Sequence, residues 1–102
     1  MSKSKYRVLI FPRAELDLLE TKEYFTKVLK TPSTRVFDRF LEVVDQLEEN
    51  PMIYPLIVDP ILRQKGYRHV PIDNFLLFFV VNESTVEIRR FLYGGRRFDS
   101  IL

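Results

Sequence analysis

The sequence predicts an α+β domain of two layers, β-α-α-β-β-β, with an antiparallel helical hairpin packed on a mainly antiparallel four-stranded sheet. Three observations carry that expectation. Phe75 to Val81 is an unbroken apolar run rich in aromatic and β-branched residues, the composition of a strand buried on both faces. Between Arg13 and Glu49, apolar residues recur every three or four positions in two blocks that meet at Thr31-Pro32. The remainder consists of short strand-like runs punctuated by Pro, Asn, Asp and Gly. At 102 residues, the chain 1–102 fits one domain with one core.

Taken in order, Tyr6 to Phe11 reads as a strand, with Tyr6, Val8 and Ile10 on one face and Arg7, Leu9 and Phe11 on the other. Pro12 suits the first turn of a helix. Arg13 to Lys30 places Ala14, Leu18, Thr21, Phe25 and Val28 on one stripe and Glu15, Lys22, Glu23 and Lys27 opposite it. From Ser33 to Glu49, the residues Val36, Phe37, Phe40, Leu41, Val44 and Leu47 repeat at helical spacing, and Asn50-Pro51 stops the helix. Met52 to Leu62 has two prolines and no sustained period, so it reads as a loop over the core, anchored by Ile53, Leu56 and Ile57. Tyr67 to Ile72 is a short strand that Pro71 assigns to a sheet edge. Asp73-Asn74 turns the chain into the Phe75–Val81 strand. Asn82 to Thr85 turns it again into Val86 to Tyr93, after which come Gly94-Gly95, Arg96 and Arg97. Ser100-Ile101-Leu102 is a small apolar end able to tuck back.

Composition excludes several functions. Without cysteine there is no disulfide framework and no thiolate metal site, and a single histidine makes zinc a poor expectation, so no metal or cofactor is expected. The apolar run Val8 to Phe11 is too short for a secretion signal, and no run approaches membrane-spanning length. The expected compartment is the cytoplasm, with no membrane partner. Only three glycines occur, and they form no phosphate-binding loop. A Ser/His/Asp triad would have to use His69, but no serine sits in a nucleophile turn.

The net charge of +2 conceals an asymmetry. Met1 to Asp59 carries nine Lys/Arg against ten Asp/Glu, whereas from Pro60 onward there are seven against four. The helical stretch Arg13–Glu49 alone has six basic and nine acidic residues, which makes it a poor nucleic-acid surface. The basic and aromatic candidates are therefore Arg63, Lys65, Arg68, His69, Arg90, Tyr93, Arg96 and Arg97. Arginines stabilise a pentacoordinate phosphate and His or Tyr moves protons, but arginines also anchor a partner without chemistry. His69 reads equally as a packed histidine, and Tyr93 as the end of the core. Arg90, in phase with Val86 and Ile88, is either re-aimed by a bulge or engaged in an internal ion pair. Arg96 and Arg97 are the foremost contact residues.

The opening YRVLIFPRAELDLLETKEYF, the second helix ending in QLEENP, and the close FLLFFVVNESTVEIRRFLYGGRRFDSIL together resemble the RelE/ParE superfamily of type II toxin–antitoxin systems. The resemblance spans nearly the whole chain and implies the same β-α-α-β-β-β domain. It implies a growth-arresting toxin of a plasmid-stabilisation or addiction module, one that inhibits DNA gyrase if ParE-like. A RelE-like member would be an enzyme, cutting mRNA on the ribosome without a metal; a ParE-like one would not be an enzyme. The chain has Leu76 where many nuclease members carry a strand arginine, and Ile101-Leu102 where a C-terminal tyrosine would sit. Arg96 matches the tail arginine. These features and the long helical hairpin favour the ParE branch. The nuclease alternative would use Arg96, His69 and Tyr93 as the catalytic set. A third alternative is an inactive relative that binds antitoxin or nucleic acid. Implied partners are a cognate antitoxin, with gyrase or the ribosome and mRNA as target, in a homodimer or a heterotetramer with antitoxin. Arg63, Lys65, Arg68, Arg90, Arg96 and Arg97 are the expected contact residues.

Overall fold

The computed structural model describes residues 5–30, 34–94 and 102. The chain runs β1 (Arg7–Ile10), α1 (Pro12–Glu23), a π-helical turn (Tyr24–Val28), α2 (Arg35–Glu49), a 3-10 turn (Pro51–Ile53), α3 (Pro60–Gln64), β2 (Tyr67–Ile72), β3 (Phe75–Asn82) and β4 (Thr85–Tyr93). The sheet order is β1-β4-β3-β2. β4 pairs antiparallel with β3 and β3 with β2, while β1 pairs in parallel with β4 from Arg7↔Thr85 to Ile10↔Ile88. The α+β two-layer expectation is met, and the apolar strand β3 is central as its composition requires.

Two tight turns fold the meander, with Asp73 at φ 53° and Glu83 at φ 58°. Aspartate tolerates this left-handed region because its side chain can bond nearby backbone; glutamate has no such compensation. β4 is not regular. Phe78 faces Arg90 and Phe79 faces Ile88, so Arg89 is an extra residue that bulges from the ladder. The bulge reverses the parity of the strand. Val86 and Ile88 point to the helices before it, and Phe91, instead of Arg90, points there after it.

Helices α1 and α2 cover one face. Beneath them Ala14, Val36, Phe40, Val43, Leu47, Val70, Ile72, Leu77, Phe79, Val86, Ile88 and Phe91 form the larger buried cluster. The opposite face buries Ile57, Leu62, Tyr67, Phe78 and Leu92, with Leu102 packed against them. The apolar end does tuck back at Leu102; Ser100 and Ile101 lie outside the described residues. Among the described residues no helix is long and apolar enough to cross a membrane.

Four local expectations are corrected. The stretch before Leu62 is not all loop: Asp59 Oδ1 accepts from the amides of Ile61 (3.0 Å) and Leu62 (3.1 Å), and Pro60 begins α3. Of the expected anchors in that stretch, Ile57 is buried and Leu56 half-buried, but Ile53 is exposed. Val28 leaves the buried stripe because the π turn adds a residue to the last helical turn. Thr21 and Thr26 donate back to the carbonyls of Asp17 (2.8 Å) and Lys22 (2.9 Å), a bonding pattern that loosens the α-helical ladder. In α2, Val43 is buried in place of Leu41, which is exposed.

Candidate functional site

β1 is short and ends where α1 begins, so among the described residues the edge of β4 beyond Ile88 has no strand beside it. Asp17, one turn after the start of α1, fills that place. Its Oδ2 accepts from the backbone N–H of Phe91 at 3.0 Å and from Arg90 Nε at 2.7 Å, and its Oδ1 accepts from Arg90 Nη2 at 3.0 Å. Asp17 and Arg90 side chains are 3% and 10% exposed, so this is a buried, bidentate pair. Both sequence alternatives for Arg90 hold together: the bulge re-aims the strand, and the guanidinium is an internal ion-pair partner. Arg90 is thereby removed from the contact surface.

The other candidates divide between the two faces of the sheet. His69 alternates with Val70, which enters the helix-side core, so it lies on the far face opposite Phe78, edge-on at 6.1 Å. It is half-buried, its Nδ1 is buried without a hydrogen-bond partner, and burial lowers its pKa below the ordinary histidine value. Tyr93 lies on the helix side, paired with Phe75 and edge-on to it at 5.9 Å. It does not finish the core, being 54% exposed. The sheet thus separates His69 from Tyr93, and the two do not form one proton-transfer set. Arg96 and Arg97 lie outside the described residues.

Arg63 and Lys65 end α3 on the far face and are exposed. Arg68 is half-buried, and its Nη1 donates to the Tyr54 carbonyl at 2.6 Å, tying β2 to the loop before α3. Tyr54 in turn donates to Gln46 Oε1. The sequence passed over Arg89 as a site residue. Its Nε and Nη2 both donate to Glu87 Oε1, at 3.1 and 2.6 Å, and its guanidinium lies 4.9 Å from the Phe11 ring centre and 5.9 Å from that of Tyr67. Burial alone would lower its pKa, but the hydrogen bonds and attraction of Glu87 and Tyr67 together outweigh this and raise it. Of the basic residues described here, Arg63 and Lys65 are the exposed ones among those singled out by sequence.

On the helix side, α1, the π turn and the ends of β3 and β4 enclose an open groove of roughly 530 Å³. Its walls are Tyr24, Phe25, Leu29, Phe75, Phe91 and Tyr93, with Asp17, Glu20, Thr21 and Asn74 supplying polar groups. The sequence did not point to this groove, because it joins residues from both ends of the chain. Among the described residues, no three His, Cys, Asp or Glu side chains gather as a metal site needs.

The model of the ParE toxin of the type II toxin–antitoxin system, parDE, matches residues 8–98. No curated protein matches the chain. Among solved structures, a chain described as "Chromosomal ParDE TA system from P. aeruginosa" is 18% identical, with a TM-score of 0.70 over 87% of this chain and 96% of that one. That likeness bears on the fold, and it has the same two-layer arrangement. The family match runs from β1 across both helices, the bulged strand and the arginine-bearing segment beyond it, and on that ground this chain belongs to the ParE toxin family of type II toxin–antitoxin systems.

Proposed function

We propose that this protein arrests growth by binding and inhibiting DNA gyrase, and that a cognate antitoxin neutralises it by covering its surface. The reading is supported chiefly by the separation of His69 from Tyr93 across the sheet, which leaves the expected nuclease set unassembled. General acid–base cleavage needs its proton donors and acceptors within reach of one phosphate. Inhibition by contact needs only an accessible surface. Arg63 and Lys65 serve that contact, joined by Arg96 and Arg97; Arg68 and Arg90 act inside the fold.

The test compares purified protein in a gyrase supercoiling reaction and in a reconstituted translation reaction with a defined message. Loss of supercoiling with an intact message supports the proposal. Ribosome-dependent cuts in the message overturn it in favour of a RelE-like endonuclease. If neither occurs and expression does not slow growth, the protein is a binding-only relative. Replacing Arg96 and Arg97 with alanine should abolish the arrest while the fold persists.

A further inference from the structure

The groove between α1 and the ends of β3 and β4 has an unusual combination of walls. Tyr24 meets Phe25 edge-on at 6.2 Å, Phe25 lies 6.2 Å from Phe75, Phe75 stacks on Phe91 at 5.1 Å, and Tyr93 meets Phe75 from the outer side. Among the described residues, no Lys or Arg lines it. Its two carboxylates differ in kind. Asp17 is already occupied by Arg90 and the Phe91 amide, so it adds no uncompensated charge. Glu20, one turn on, is exposed and pairs with no basic side chain among the described residues. In a protein of net charge +2, Glu20 thus sets an uncompensated carboxylate beside aromatic rings.

We propose that this groove takes an arginine side chain of the antitoxin, with the guanidinium between the Glu20 carboxylate and the aromatic rings and the aliphatic stem along Leu29 and Phe25. The proposal rests on the reading that a protein partner covers this toxin. A planar guanidinium suits the site for three reasons. It stacks on ring faces, it offers a fork of donors to Glu20 and to the Asn74 side chain, and it sheds water more readily than an ammonium. A purely apolar anchor would cover the rings but leave Glu20 stripped of water and unpaired, which opposes binding.

The test uses small blocked amino acids as probes. N-acetyl-arginine methylamide is titrated into the full-length protein while ¹H–¹³C resonances of Tyr24, Phe25, Phe75 and Tyr93 are followed, alongside its citrulline and leucine counterparts. The expected result is saturable ring shifts with arginine, about tenfold weaker binding with uncharged citrulline, and a similar loss for Glu20→Gln. Equal binding of citrulline, or tighter binding of leucine, would overturn the proposal in favour of an apolar anchor. Absence of ring shifts throughout the millimolar range would also overturn it. Glu20 is exposed on α1, so the substituted protein should fold, and its circular dichroism checks this. Because the titration contains neither gyrase nor antitoxin, failure of the growth-arrest reading and failure of the groove assignment are separate results.

Discussion

The face of the sheet under α1 and α2 buries a continuous apolar core and ends in an aromatic groove that carries Glu20, whereas the far face, among the described residues, buries five side chains around α3 and leaves Arg63 and Lys65 outside. The two faces thus divide the work. Among the described residues, the helix side buries the larger apolar cluster and the far side a smaller one with cations outside it, while the Asp17–Arg90 pair closes the edge of β4. The buried charges at the edge of β4 are structural, as Asp17 and Arg90 illustrate, while a charge outside the second face is available to a partner.

The sharpest way to break this contrast is Asp17→Ala, which strands a buried guanidinium and a backbone amide. It should cost about 3–5 kcal/mol, read as a fall in the urea midpoint, a large share of the stability of a domain this size. Adding Arg90→Met should recover part of that loss, because no buried charge then remains. A cost under about 1 kcal/mol would mean that the pair is not a structural element. Next in size is the comparison of two fully buried leucines. Leu47→Ala, on the helix side, should destabilise the whole fold by about 3–4 kcal/mol, whereas Leu62→Ala should cost about 2 kcal/mol. Hydrogen exchange should show the second loss concentrated at α3, and equal global losses would erase the distinction between the faces.

Smaller still is Asp59→Ala, which removes the cap of α3 and should cost about 1 kcal/mol. Faster amide exchange at Ile61 and Leu62, with β3 unchanged, is the accompanying sign. The smallest effect is pH-dependent. Burial lowers the pKa of His69 in the folded protein, so the unfolded chain binds the extra proton more readily. Its contribution is therefore fully present above the unfolded histidine value, near 6.5, and is lost as pH falls through the lower folded value. His69→Phe should flatten that part of the stability profile, and an unchanged acid-side slope would show that the imidazole is not the group responsible.

Both long helices were legible because each carries its period over enough residues, and β3 because its apolar run is unbroken. α3 was not, since Pro60 to Gln64 is too short to display one, and its capping Asp59 lies between two prolines that read as a loop. The bulge at Arg89 was hidden for another reason. Phe91 and Leu92 are both apolar, so either can face the core, and only pairing with β3 fixes which one does. Arg90 was half legible: its phase called for an internal partner, but Asp17 could be named only once the sheet order put α1 beside β4. The groove was invisible for the same reason. Among the basic candidates, the sequence could not separate Arg63 and Lys65 from Arg68, because the Tyr54 carbonyl that engages Arg68 belongs to the preceding loop.

The placement of β4 between β1 and β3 also sets a timetable for synthesis. The Asp17–Arg90 pair joins residues 73 positions apart, and β1 takes its ladder partner from Thr85 onward. A nascent chain that stops short of β4 has both long helices but no seat for β1 and no guanidinium for the buried carboxylate. Its emerging Phe75–Val81 segment is then an uncovered apolar strand, the species most prone to aggregate during translation. Interrupted translation products of this protein should therefore be unfolded and rapidly degraded, because the sheet and the buried ion pair close only when β4 is in place.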